Sequence, residues 1–201
     1  MIKWKGNDPI FYHIAKKHDV PFARMKAALL EEFLELESGK INADQWISFA
    51  LAKFGKRING KDSGDRLLLD PFVERAKLRK GTAKIIETLR KKGFKVYALT
   101  NTSLPHLEYM KKAGWAGYFD GFYSSCELGR NKPDPMVYKK VLRLIGARPD
   151  QTVFIDDKRE NITGAENAGI YHTIRFTALP EFRSKIKSII DENDRGSNQR
   201  E

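Results

Sequence analysis

The chain has 201 residues, enough for one well-formed core with a smaller appended module and too few for two full domains. Its single cysteine, Cys126, excludes an intramolecular disulfide framework and suits a reducing compartment, so a cytoplasmic home is expected. The formal charge of +11 is carried by lysines and arginines scattered among acids, as in AKLRKGTAKIIETLRKKG. That pattern reads as a solvated surface favouring a small anionic substrate; with no basic stripe interleaved with aromatics, nucleic acid is the weakest expectation.

The N-terminal MIKWKGNDPI lacks the apolar run of a signal peptide. No later segment reaches the ~20 uncharged apolar residues needed to span a bilayer, so a soluble protein is expected. From Asp8 to about Lys80 the apolar spacing is helical throughout, in DPIFYHIAKKH, PFARMKAALLEEFLELESG and NADQWISFALAKFG. Start and stop signals punctuate it: Asp8 before Pro9, Pro21, Gly39, Asn42 and Gly55. These helices are expected to pack as a small bundle with Phe33 and Phe49 in its core. Trp4, Phe11, Tyr12 and Trp46 are candidates to face a ligand, although aromatics at helical spacing are more often core.

After Lys80 helices alternate with β-rich runs: GTAKIIETLRKKG, FKVYALT, LPHLEYMKKAGW, FDGFYSS, DPMVYKKVLRLIG, TVFIDD, ENITGAENAG and IYHTIRF. The alternation implies an α/β fold, a doubly wound parallel sheet with helices on both faces and ligands received beyond the carboxyl ends of its strands. From Pro180 an amphipathic helix, EFRSKIKSII, decays into DENDRGSNQRE, whose last few residues are expected to be disordered.

Three places gather chemistry. In VYALTNTS a strand ends in Thr100, Asn101 and Thr102 just before a helix start, where hydroxyls and free amides suit a phosphate; a plain helix cap is the alternative. In NKPDP, proline pins the origin of Lys132 so that its ammonium can be aimed at a fixed anion, unless it is merely an exposed lysine beside a turn. In TVFIDDKREN a strand runs into Asp156 and Asp157, with Asn161 a turn later. Adjacent carboxylates invite a hard divalent cation, or else one caps a helix while the other pairs with a base.

Taken in order, LTN, KPDP and FIDD with its following Asn, Ala and Gly resemble motifs two, three and four of the haloacid-dehalogenase superfamily, closest to small phosphatases with a helical cap inserted after the first strand. The resemblance implies a Rossmann-like core over 81–179, a helical cap over 8–80, a linker remnant over 1–7 and a C-terminal helix and tail over 180–201. It implies that Thr100 and the Asn101 amide contact a phosphoryl group and that Lys132 neutralises phosphate and nucleophile. Asp157 would ligate Mg2+ directly, Asp156 would support it, and Asn161 would stand behind them. The implied activity is a magnesium-dependent phosphomonoesterase acting on a small phosphorylated metabolite through an aspartyl-phosphate, with dehalogenase chemistry a weaker option.

The family's first motif, an apolar strand ending in the nucleophilic aspartate, has no match here. Asp8 is the only early acid, and it precedes Pro9 at a helix start. Met1, Ile2 and Lys3 resemble the residues that follow that motif, so the chain is expected to start just downstream of it and to have little or no activity as given. The alternative is a non-catalytic protein of this fold that binds a phosphorylated ligand or a partner. Either Met1–Lys5 is expected to fill the central slot of the sheet, or the chain is expected to dimerise or exchange a strand through the open edges.

Overall fold

The computed structural model describes residues 2–3, 7–78 and 80–198. The chain forms two compact units, one of Met1–Arg79, Leu99–Gly117 and Tyr123–Asn131, the other of Lys80–Ala98, Tyr118–Phe122 and Lys132–Glu201.

The first unit begins with a short strand, β1 (Ile2–Lys3), and helix α1 (Asp8–Lys17), which Asp8 opens and Lys16 and Lys17 close, each charge suiting its end of the helix dipole. The single helix expected over 21–39 breaks at Glu32 into α2 (Phe22–Glu31) and α3 (Phe33–Glu37). Next, α4 (Ala43–Ala52) starts with a full capping box: Asn42 Oδ1 accepts from the Gln45 amide, and Gln45 Oε1 from the Asn42 amide, both at 2.9 Å. Helix α5 (Gly64–Arg75) is capped by Ser63 and contains Pro71.

These helices enclose a core of Ile10, Ile14, Met25, Leu29, Trp46, Ile47, Leu51, Leu67 and Leu68. The Trp46 indole N–H, which burial would otherwise orphan, donates to the Leu29 carbonyl at 2.8 Å. Phe33 is partly buried against this core, whereas Phe49 is 49% exposed, against expectation. The buried stripe of α4 runs through Ala43, Trp46, Ile47, Ala50 and Leu51, at helical spacing, and Phe49 falls off it. Phe11 and Trp46 are core residues, Tyr12 is 58% exposed, and Trp4 lies outside the described residues.

The helical run expected to reach Lys80 ends at Arg75 and gives way to β2 (Lys77–Leu78). Ile2–Lys3 pairs antiparallel with Lys77–Leu78, Ile2 opposite Leu78 and Lys3 opposite Lys77. The expectation that Met1–Lys5 fills a slot in the parallel sheet is therefore corrected for these two residues: chain leading into the helical segment and chain leaving it run side by side in opposite directions, so they pair with each other. Met1, Trp4 and Lys5 lie outside the described residues.

From Lys80 the order is α6 (Lys80–Lys91), β3 (Tyr97–Thr100), α7 (Leu104–Lys112), β4 (Gly121–Ser124), the short α8 (Ser125–Leu128), α9 (Pro135–Ile145), β5 (Val153–Asp156), α10 (Arg159–Asn167), β6 (His172–Arg175) and α11 (Leu179–Asn198). The alternation read from the sequence is realised as an α/β fold. Strand β5 pairs parallel with β6, from Val153 opposite His172 to Asp156 opposite Arg175, with α10 as the crossover between them. Among the described residues the strands hydrogen-bond as three separate pairs, β1 with β2, β3 with β4 and β5 with β6. Helix α11 continues through the polar stretch to Asn198, and the disorder expected of the last few residues concerns positions outside the described ones.

Close backbone approaches hold the helical unit together. A Cβ on Gly64 would overlap the backbone of Ala43 and Asp44, so α5 and the start of α4 can meet only because that side chain is missing. Gly64→Ala is therefore expected to cost about 1–3 kcal/mol by overpacking. Gly60→Ala, where nothing lies within 4 Å, should stay within about 0.5 kcal/mol of wild type in a urea titration.

Candidate anion and metal site

In the first unit the loop after β3, Thr100 to Ser103, leads into α7. Thr102 and Ser103 are buried, and Thr100 and Asn101 are partly exposed. The loop is held from below by Ser125: the Thr102 amide donates to Ser125 Oγ at 2.9 Å, and that hydroxyl donates to the Glu37 carbonyl at 2.6 Å. The end of α3 can come this close to α8 because Gly39 has φ +72 and a Cβ there would overlap the Cys126 carbonyl.

At the start of α7, His106 stacks on Phe72 with ring centroids 4.2 Å apart and an interplanar angle of 27°. Its Nε2 lies 3.3 Å from the Leu68 carbonyl and its Nδ1 3.2 Å from Ser103 Oγ. A carbonyl can only accept, so Nε2 carries the proton and the Ser103 hydroxyl donates to Nδ1. Burial pushes the His106 pKa down to about 4, with the Leu68 carbonyl pulling weakly the other way.

These residues line a cavity of about 150 Å³. Its polar wall is the Thr100 to Ser103 loop with Asn7, Glu37 and His106; its apolar wall is Phe33, Leu36, Leu68, Phe72 and Met110.

In the second unit Lys132 and Asp156 form a buried ion pair, Nζ to Oδ2 at 2.7 Å, with the two side chains 9% and 8% exposed. The other oxygen, Oδ1, accepts from the Lys158 amide and from Asn161 Nδ2, both at 2.9 Å. Burial alone would raise the Asp156 carboxyl; the Lys132 charge and these three hydrogen bonds outweigh it and hold the group below the ordinary carboxylate value. Lys132 also lies over the Phe154 ring at 5.7 Å. The backbone of α10 reaches the turn carrying Lys132 because residue 164 is glycine, where a Cβ would overlap the Pro133 carbonyl. Asn161 is held in turn by α9: the Tyr138 hydroxyl donates to the Asn161 carbonyl at 2.7 Å. Burial, and secondarily the Asp156 charge, raise the Tyr138 phenol, so it stays a donor.

Asp157, one residue on, is exposed, and its carbonyl accepts from Arg175 at 3.4 Å. Lys132, Asp156 and Asn161 thus converge, and Asp157 stands beside them. For a cation, Asp156 Oδ1 has both lone pairs taken and Oδ2 keeps one. With the Asp157 carboxylate, the chain offers the one or two carboxylates that magnesium ordinarily takes, the remaining positions being filled by water and phosphate oxygens. Among the described residues no three His, Cys, Asp or Glu side chains cluster as a closed transition-metal site requires. The donor set fits magnesium.

A family model described as haloacid dehalogenase-like hydrolase matches residues 10–169. The chain belongs to the haloacid dehalogenase-like hydrolases. Among curated relatives it is 29% identical over 148 residues to bifunctional epoxide hydrolase 2 of Sus scrofa, covering 66% of this chain and 26% of that protein. It is 32% identical over 87 residues to a sesquiterpene phosphatase of Aspergillus oryzae, covering 43% of this chain and 44% of that one. The chain thus spans less than half the length of either relative. A haloacid dehalogenase family enzyme of Bacteroides thetaiotaomicron, solved with magnesium and inorganic phosphate, matches with a TM-score of 0.69 at 23% identity, over 86% of this chain and 87% of that one. An aspartate-to-alanine mutant of that enzyme, also in complex with magnesium and inorganic phosphate, matches with a TM-score of 0.68. Among the described residues no helix of this hydrolase-family chain is long and apolar enough to cross a membrane.

Sequence reading passed over Ser103, His106, Ser125 and Tyr138. Ser103 and His106 did carry a signal, a serine cap with a polar residue three positions on. Nothing marks Ser125 within FYSS, and Tyr138 reads simply as core.

Two measurements check this account. Lys132→Met leaves Asp156 buried without its cation and is expected to cost about 3–5 kcal/mol at pH 8. The cost should shrink at pH 5, because an unpaired buried carboxyl takes up a proton; urea titrations at both values test it. For His106 the folded pKa lies below the unfolded value of 6.5, so the unfolded state binds the extra proton. Stability is then complete above about pH 6.5 and lost as pH falls towards 4, by roughly 3 kcal/mol from this residue. His106→Gln should flatten that part of the stability profile.

Proposed function

We propose that this chain is a magnesium-dependent phosphomonoester site of the haloacid-dehalogenase type for a small phosphorylated metabolite, with the helices of 8–80 acting as its cap. The observation that carries the reading is the buried Lys132–Asp156–Asn161 cluster at the carboxyl end of β5. A cation buried this deeply and aimed by a proline-fixed turn is poorly explained as surface charge, and a bound phosphate is the natural additional anion for it.

In this reading Thr100 and the Asn101 amide hydrogen-bond phosphoryl oxygens, and Lys132 neutralises the phosphate. Asp157 holds magnesium directly, with Asp156 supporting it and Asn161 keeping Asp156 oriented. When bound, the metal would neutralise charge building on the phosphoryl oxygens. Phosphoryl transfer asks a protein chiefly for positioning, charge neutralisation and an attacking group. No residue of the 201 is assigned as that attacking group, so turnover by this polypeptide is expected to be small while anion and metal binding are kept.

Calorimetry with inorganic phosphate in the presence of magnesium tests the reading. Phosphate is expected to bind, and Lys132→Ala to weaken it about tenfold or more, since a charge-assisted hydrogen bond is lost. Hydrolysis of p-nitrophenyl phosphate should stay near background. Phosphate binding that is absent, or unchanged in the variant, would overturn the assignment; rapid hydrolysis would overturn the claim of low activity.

A further inference from the structure

We propose that the cavity in the first unit selects a phosphomonoester whose alcohol is compact, uncharged and apolar, the size of a single aromatic ring or a branched five-carbon chain. The inference rests on the reading that Thr100 and Asn101 receive the phosphoryl group, and it adds what that group is attached to.

The space is about 150 Å³ and its apolar wall is contributed by Phe33, Leu36, Leu68, Phe72 and Met110. An apolar cavity of about this volume admits benzene. The wall is braced from behind. The Phe33 ring packs at 5.9 Å against Phe11 and 5.8 Å against Trp46, both core residues. The Phe72 ring is stacked on His106 at 4.2 Å and meets Tyr109 edge-on at 5.9 Å. Neither ring can swing into the space without losing those contacts, so the space is built into the fold.

The lining offers no fixed cation to a charged leaving group. His106 offers such a group nothing: both its nitrogens are engaged within the protein, and protonating it is costly so deep in the unit. Against the wall of five hydrocarbon and thioether side chains a polyol would leave its hydroxyls unpaired.

Calorimetry with non-hydrolysable phosphonates, with magnesium present, tests the proposal. Benzylphosphonate is expected to bind at least about tenfold more tightly than inorganic phosphate or phosphonoacetate, the span that a ring's worth of apolar contact supports. Phe33→Trp, which fills the space, should abolish that preference and leave inorganic phosphate binding as in wild type. Phe33→Ala, which enlarges it, should shift the preference towards a naphthylmethyl phosphonate; circular dichroism melts establish that both variants are folded. Equal affinity for benzylphosphonate and phosphonoacetate, with phosphate binding intact, overturns this inference alone. Should inorganic phosphate fail to bind, the underlying site assignment falls. Uptake of benzyl alcohol followed by NMR then still decides the cavity: saturable shifts at Phe72 and Met110 in wild type that vanish in Phe33→Trp uphold its apolar selectivity, and no shifts overturn it.

Discussion

The buried pair of Lys132 and Asp156 is the constraint around which the second unit is organised. Two desolvated charges offset the cost of burial only when their geometry is good and further hydrogen bonds support the pair. That requirement reaches into four segments. The proline-fixed turn aims Lys132, and the end of β5 presents Asp156. The start of α10 supplies the Lys158 amide and Asn161, and α9 supplies the tyrosine that holds Asn161. Gly164 lets α10 lie against the turn. The result is an ammonium held at one place.

The first unit solves a different problem with the same economy. The loop carrying Thr100 to Ser103 must hold its partly exposed face while its backbone is buried from behind. Ser125 satisfies the Thr102 amide and the Glu37 carbonyl with one hydroxyl. His106 ties the start of α7 to α5 as a neutral ring. Because these groups are satisfied internally, the cavity they border can remain apolar over most of its wall.

Much of this was legible in the sequence. Helical spacing, and the alternation of helix and strand after Lys80, placed nearly every element. LTN, KPDP and FIDD pointed to residues of which Lys132, Asp156 and Asn161 do converge. The failures have physical causes. Phe49 was expected in the core because aromatics usually are, yet one step around a helix separates it from Ala50. Ile2 and Lys3 found an antiparallel partner in Lys77–Leu78, a pairing between residues distant in sequence that no local pattern encodes. Ser125 and Tyr138 matter through a single hydroxyl each, and a hydroxyl's partners are set by tertiary packing.

The account's central claim is that Lys132 keeps capacity for a phosphate beyond its pairing with Asp156. A crystal structure grown with magnesium and inorganic phosphate tests it most directly. The prediction is phosphate oxygen within hydrogen-bond distance of Lys132 Nζ and magnesium on the Asp157 carboxylate, with the Asn161–Asp156 bond preserved. A structure in which phosphate binds away from Lys132, or not at all, would contradict it.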